Sequence, residues 1–392
     1  MRAATGILFL LSAAVIVCAA PNCSTGIGLA LGKGCSPRVV AVAASGGSGS
    51  RSVALLLDRM GVFMVTGTHY CKAREENFAW ACHRSAHDSE TSCSDENLDY
   101  RMPHAGAYAA KESRTLSYER ALFQPEKWDE WARSTGLYIN GAMARARDCT
   151  GQLGWEAPGP AVVGVKHALL MPMMPLLEEL LGERLVVVHL VRGVEDMVTS
   201  RNKDPFLGTE TTFNKWRRWF EREHDTMEEK KCKYWCRATI WSLMNLETAA
   251  AALKAVGAER YALVRYEDLT SGDRMRRQRT IERVARLATE GHIAAPIDQL
   301  AAVFDQPIGA GKDRGAHRGA RILTPEQLEV VRAHAAEGRE AFGYCSGGAG
   351  CHEGVRELPS DPKALEAKIL GQVQVVRATR AAEAKRRAKG RR

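Results

Sequence analysis

The stretch that most restricts this chain's architecture is VVAVAA at 39–44, followed by SGGSGSRS at 45–52 and VALLLDRM at 53–60. An uninterrupted apolar run of strand length is the pattern of a parallel strand covered on both faces. The glycine-serine stretch ends that strand, and the following residues, apolar and free of breakers, suit a helix packed on the sheet. VFMV at 62–65 reads as the next strand. Strand, turn, helix and strand in this order form a βαβ unit, whose ligand site lies at the carboxyl end of the first strand. The fold class expected is α/β, three layers with a central parallel sheet.

The rest of the chain supports that class. AVVGVK at 161–166, a helix over 175–181, LVVVHLV at 185–191, a helix from near Val194, an aromatic-rich helical stretch over 213–253 and YALVR at 261–265 continue the alternation. Thr324 followed by Pro325 marks the N-terminus of a late helix. Residues 66–159, with Trp80, Trp128, Trp131, Trp155 and only patchy periodicity, read as an irregular insertion. At 392 residues, 45% apolar and 26% charged, the chain suits one elaborated domain over 38–345. A Gly-rich loop, a helix from about Asp361 and a basic tail follow at 346–392.

The net charge of +9 is misleading about the body, because the last sixteen residues hold eight Lys or Arg and one Glu. Without them the remainder is nearly neutral, so no nucleic-acid partner is expected for the folded part. The tail has few apolar residues to dock it and reads as a solvated, disordered end.

Residues 1–20 have the form of a secretory signal: Met1, Arg2, an apolar run over 6–20 and small residues at its end. That run is shorter than the about 20 residues of a spanning helix, which favours cleavage; left uncut, it would tether the protein to a membrane. Losing Cys18 with the leader leaves ten cysteines, an even number suited to disulfides in an oxidising compartment. Cys345 and Cys351 bracket a flexible turn that permits a short disulfide loop. Asn22-Cys23-Ser24 is a formal glycosylation sequon.

Two motifs carry the chemistry. In the first, Gly46, Gly47 and Gly49 uncover backbone N–H groups between a strand and a helix N-terminus, while Ser48, Ser50, Ser52 and Arg51 add hydroxyls and a charge. That composition suits an anion, or else a tight turn without a ligand. Five residues after Gly46 comes Arg51 rather than Gly-Lys-Ser/Thr, which disfavours a magnesium-dependent ATPase. In the second, Arg192 ends a buried strand and Ser200 follows eight residues later, so both could face one phosphate. Two anion sites at the ends of neighbouring strands suit a nucleotide with phosphates at both ends.

These residues resemble the sulfotransferase family, whose donor is 3′-phosphoadenosine 5′-phosphosulfate. The loop 46–52 is similar to its 5′-phosphosulfate loop, and Arg192 with Ser200, Asp196 and Met197 to its 3′-phosphate motif. Trp241, Asn245, ALVRYEDL at 262–269, Gly311-Lys312-Asp313-Arg314 and Phe342-Gly343-Tyr344 resemble later blocks, Lys312 and Arg314 belonging to the closing donor loop. The likeness runs in ordered pieces from 39 to 344, leaving 66–159 largely unmatched. Gly47 stands where the family places a basic residue, and Arg51 is the candidate replacement.

The resemblance implies a P-loop-like sulfotransferase fold and transfer of a sulfuryl group to a hydroxyl acceptor, above all a carbohydrate, in the Golgi lumen, with no metal. Lys166 is the candidate for electrostatic help at the sulfuryl group. Glu76, then His69, and His167 are the candidate bases, although residues 166 and 167 of an extended strand point oppositely. Two rivals stay open: a P-loop kinase or phosphotransferase, and an inactive glycan-binding descendant.

Overall fold

The computed structural model describes residues 38–45, 48–65, 162–167, 171, 174–199, 234–305, 323–345, 351 and 354–390. Its centre is a five-stranded sheet, every pairing parallel: β1 (Arg38–Ala44), β2 (Phe63–Val65), β3 (Val162–His167), β4 (Leu185–Val191) and β5 (Tyr261–Arg265), in the order β2-β3-β1-β4-β5. All seven residues of β4 are buried, which explains its unbroken apolar sequence.

Strand alternation sorts the core onto two faces. Val40, Val42 and Ala44 pack with α1 (Ser50–Arg59), α5 (Tyr266–Thr270), α6 (Arg274–Thr289) and α7 (Ile297–Ala301). Val39, Ala41 and Ala43 pack with α2 (Met174–Leu181), α3 (Val194–Thr199), α4 (Tyr234–Val256), α8 (Pro325–His334) and α10 (Pro362–Gly390). A short α9 (Ala336–Ala341) follows α8. Helices thus cover both faces of a parallel sheet, the α/β class expected.

The first three elements make a right-ordered crossover, but its two strands are not neighbours. β2 pairs with β3, and β3 lies between β2 and β1. From β1 the chain moves to one side, and from β4 to the other, so the order reverses between β1 and β4. A crevice opens at such a reversal, at the carboxyl ends of the strands. Ala44 is level with Leu190, so the turns leaving these two strands start side by side.

Local signals read from the sequence act as expected at α8. The Thr324 hydroxyl accepts from the Gln327 N–H, and the Gln327 side chain accepts from the Thr324 N–H, with Pro325 at the first position. Cys345 and Cys351 form the short disulfide loop. Cys236 is disulfide-bonded as well.

The tail corrects an expectation. α10 runs from Pro362 to Gly390, so the basic segment is helical and not disordered. Leu365, Ile369, Val373 and Val376 dock its first half on the core. That docked half supplies the nucleus a helix needs, and the alanines beyond Arg377 propagate it at little cost. No helix of the described residues is long and apolar enough to cross a membrane; residues 1–37 lie outside them.

Candidate functional site

The turn after β1 is built inward. Ser45 and Ser48 are buried, and both the N–H and the hydroxyl of Ser48 donate to the Ser45 carbonyl, at 3.2 and 2.6 Å. The Ser48 hydroxyl therefore closes the turn, where the sequence reading offered it to an anion. Gly49 has φ 91° and ψ 19°, the left-handed region, and accepts from the Ser52 N–H at 2.9 Å. Ser50 opens α1, and Ser52 is buried in its first turn. Gly46 and Gly47 lie outside the described residues, as does the side chain of Arg51.

Across the reversal point, Arg192 leaves β4 with its side chain 18% exposed. Its Nε and Nη2 both donate to Asp196 Oδ2, at 3.0 and 2.7 Å. Its guanidinium also lies 4.9 Å from the centre of the Tyr266 ring. The same ring bears on Gly49, where an added Cβ would stand 2.3 Å from Tyr266 Cδ2. Tyr266 thus joins the two turns: the glycine turn lies against its ring, and so does the arginine of the second motif. The Asp196 pair is half open to solvent, and exposed pairs are worth about 0–1 kcal/mol, so a phosphate could displace it. Ser200, its expected partner, lies outside the described residues.

A second layer fixes the Arg192 turn. Trp241 Nε1 donates to the Arg192 carbonyl at 3.0 Å, and the Gly193 N–H donates to Glu267 Oε1 at 2.8 Å. The Tyr344 hydroxyl donates to Glu267 Oε2 at 2.8 Å. Burial raises the Glu267 carboxyl above its ordinary value, against the pull of those two hydrogen bonds and of Arg192. Glu195 pairs with Arg332 at 3.0 Å and with Arg339. It ties α3 to α8 and α9.

Lys166 is only 7% exposed, so it is not a strand-end lysine in water. It is level with Val42 of β1 and shares its strand parity with Val162, on the α1 face of the sheet. Arg192 continues the parity of Val186, Val188 and Leu190, on that same face. Lys166 sits four residues of register behind Arg192, on the order of 13 Å along the strands. It therefore lies three residues of register behind Ser45, on the strand beside β1 that is away from Arg192. His167 adjoins it at the end of β3, level with Ala43. Glu76, His69, Lys312 and Arg314 lie outside the described residues.

No family model, curated protein or solved structure matches this chain.

RYEDL at 265–269 carries part of the likeness, but the sequence does not mark Tyr266 and Glu267 as parts of the site. The available signal was position: a tyrosine and an acid directly after β5, the strand next to that of Arg192. The packing at Gly49 yields a direct test. Gly49→Ala is expected to lower unfolding free energy by about 2 kcal/mol, from left-handed strain and the displaced ring. Chemical denaturation measures it, and Gly49→Ala combined with Tyr266→Ala should recover the steric part alone.

Proposed function

We propose that this protein is a sulfotransferase that moves a sulfuryl group from 3′-phosphoadenosine 5′-phosphosulfate to a hydroxyl acceptor. The observation that carries this reading is the meeting of the glycine turn and Arg192 at Tyr266, at the reversal point of a parallel sheet. A donor with phosphates at both ends needs two anion-binding turns held at a fixed separation. The N-terminus of α1 offers N–H groups and a partial positive charge to the 5′ end. Arg192 offers its fork to the 3′-phosphate. The fold within this reading is the P-loop-like sulfotransferase type.

Transfer is in-line. The acceptor oxygen bonds to sulfur as the bond from sulfur to the 5′-phosphate oxygen breaks, and 3′-phosphoadenosine 5′-phosphate departs. Such chemistry rests on positioning and charge stabilisation, and no metal is invoked for it. Lys166, on the α1 face of the strand next to β1, is assigned to the charge on the sulfuryl group. The acceptor proton goes to a base, with Glu76 first, then His69 and His167. The leader and the cysteines support the secretory pathway, and the resemblance together with that compartment supports a carbohydrate acceptor in the Golgi lumen.

Arg192→Ala is expected to weaken binding of 3′-phosphoadenosine 5′-phosphate by about tenfold or more, the worth of a charge-assisted pair. Isothermal titration measures it, and unchanged affinity would remove the second anion site. Incubation with radiolabelled donor and a panel of glycans, tyrosine peptides and small alcohols, with and without a divalent chelator, tests the reaction itself. Strict magnesium dependence would point to a phosphotransferase. Donor binding with no transfer would point to a binding module.

A further inference from the structure

Beside the carboxyl end of β5 and along α6 lies a cavity of about 530 Å³. Arg276, Arg279, Arg283 and Arg286 of α6 line it at spacings of three and four, which places them on one helix face. Arg265, at the end of β5, adds a fifth guanidinium, while Val355, Leu358 and Pro359 form an apolar wall across from α6.

The carboxylates on the same walls are largely committed. Asp268 pairs with Arg265 at 2.7 Å and with Arg276 at 2.8 Å. Asp273 caps α6, accepting from the Met275 and Arg276 N–H groups. Glu357 lies 3.3 Å from Arg279, but these side chains are 80% and 55% exposed, so water screens the pair. Glu282 is exposed on α6.

Arg283 is the group left in want of a partner. Its Nη2 donates to the Leu263 carbonyl, but its Nε is buried and has no hydrogen-bond partner. Desolvation makes its charge costly; Asp268 offsets part of that cost, and Arg265 adds repulsion. A stripe of like charges three and four apart is unfavourable on a helix, and a buried unpaired N–H adds its own penalty. One multivalent oxyanion bound among these guanidiniums would relieve both. The volume is in the range of small-molecule sites and far exceeds a bare ion, and the apolar wall suits an organic group beside the charge.

We propose that this arginine-lined cavity binds a small organic oxyanion, a sulfate or phosphate monoester, with its tetrahedral group on the α6 arginines and its organic part on Val355, Leu358 and Pro359. The site shares no anion-binding residue with the strand-tip crevice and stands whether or not the sulfotransferase reading does.

The test is isothermal titration of the full chain carrying Arg192→Ala, which disables the other anion locus, with 4-nitrophenyl sulfate, 4-nitrophenyl phosphate and inorganic sulfate. The expected result is saturable binding of at least one ester, with inorganic sulfate at least tenfold weaker. Adding Arg279→Gln and Arg286→Gln, both at exposed positions, should weaken the ester by tenfold or more with an unchanged melting temperature. Arg283→Met should do the same; if it fails to fold, the surface pair decides. Absence of binding to both esters, or equal affinity with and without the surface pair, would overturn the site. Equal affinity for inorganic sulfate would overturn the assignment of an organic ligand.

Discussion

Arg265→Met is expected to lower the unfolding free energy by about 3 kcal/mol, the low end of what breaking a buried ion pair costs. Arg265 is 2% exposed and forks onto Asp268, its Nε at 2.7 Å from Oδ2 and its Nη2 at 3.0 Å from Oδ1. Its Nη1 reaches the carbonyls of Phe342, Gly343 and Arg356, at 3.2, 3.3 and 2.6 Å. One guanidinium therefore ties the end of β5 to α5, to the exit of α9 and to the segment before α10. Methionine fills the volume but removes a donor from the Phe342, Gly343 and Arg356 carbonyls and from part of Asp268; of the three carbonyls Gly343 still accepts from the Arg356 N–H. The loss stays near 3 kcal/mol and not higher because Arg276 still holds Asp268. Denaturant unfolding should show a lower midpoint at an unchanged slope. Arg265→Lys, which keeps the charge but not the fork, should fall between the two. A methionine variant as stable as the wild type would remove Arg265 as the joint. The function should suffer too, because the same joint positions Tyr344, which holds Glu267 under the Gly193 N–H.

Acid should weaken the protein through His189 by about 3 kcal/mol between pH 6.5 and 4. His189 sits in β4 with no exposed surface, its Nδ1 2.8 Å from the Tyr261 hydroxyl and its Nε2 3.2 Å from Asn245 Oδ1. The ring of Phe342 meets it edge-on at 5.9 Å. Burial lowers its pKa from 6.5 to about 4, with the Asn245 hydrogen bond opposing. The imidazole is neutral in the folded chain, while in the unfolded chain it takes up a proton below pH 6.5. Over that window the unfolded state binds more protons, so stability rises with pH and falls as pH drops towards 4. Above pH 6.5 both states are neutral and the group has no effect. Unfolding free energies at pH 7 and 4.5, compared between wild type and His189→Gln, measure it. The variant should lose less stability than the wild type on acidification. Equal losses would mean that His189 accepts its proton inside the folded protein.

The sheet was largely legible because its strands announce themselves locally. LVVVHLV at 185–191 and YALVR at 261–265 coincide with β4 and β5, and 39–44 differs from β1 by one residue. An apolar run buried on both faces has few other uses. The α8 cap was legible for the same reason, since Thr324, Pro325 and Gln327 act within four residues of one another. The candidate site was legible only in part. Arg192 and the glycine turn stand out in the sequence, but their joint, Tyr266, does not. Nor does Glu267, whose bond to Gly193 spans 74 residues.

The amino-acid sequence by itself determined the α/β class and the positions of the buried strands, because these follow from runs of a few consecutive residues. Tertiary structure alone decided that β3 separates β1 from β2, that the Ser48 hydroxyl turns back on Ser45, and that the basic tail continues a docked helix. It also decided that five arginines gather round one cavity beside β5. Each of these depends on which distant segment fills the neighbouring space, and the energy of such contacts is set by packing and desolvation that no local pattern encodes.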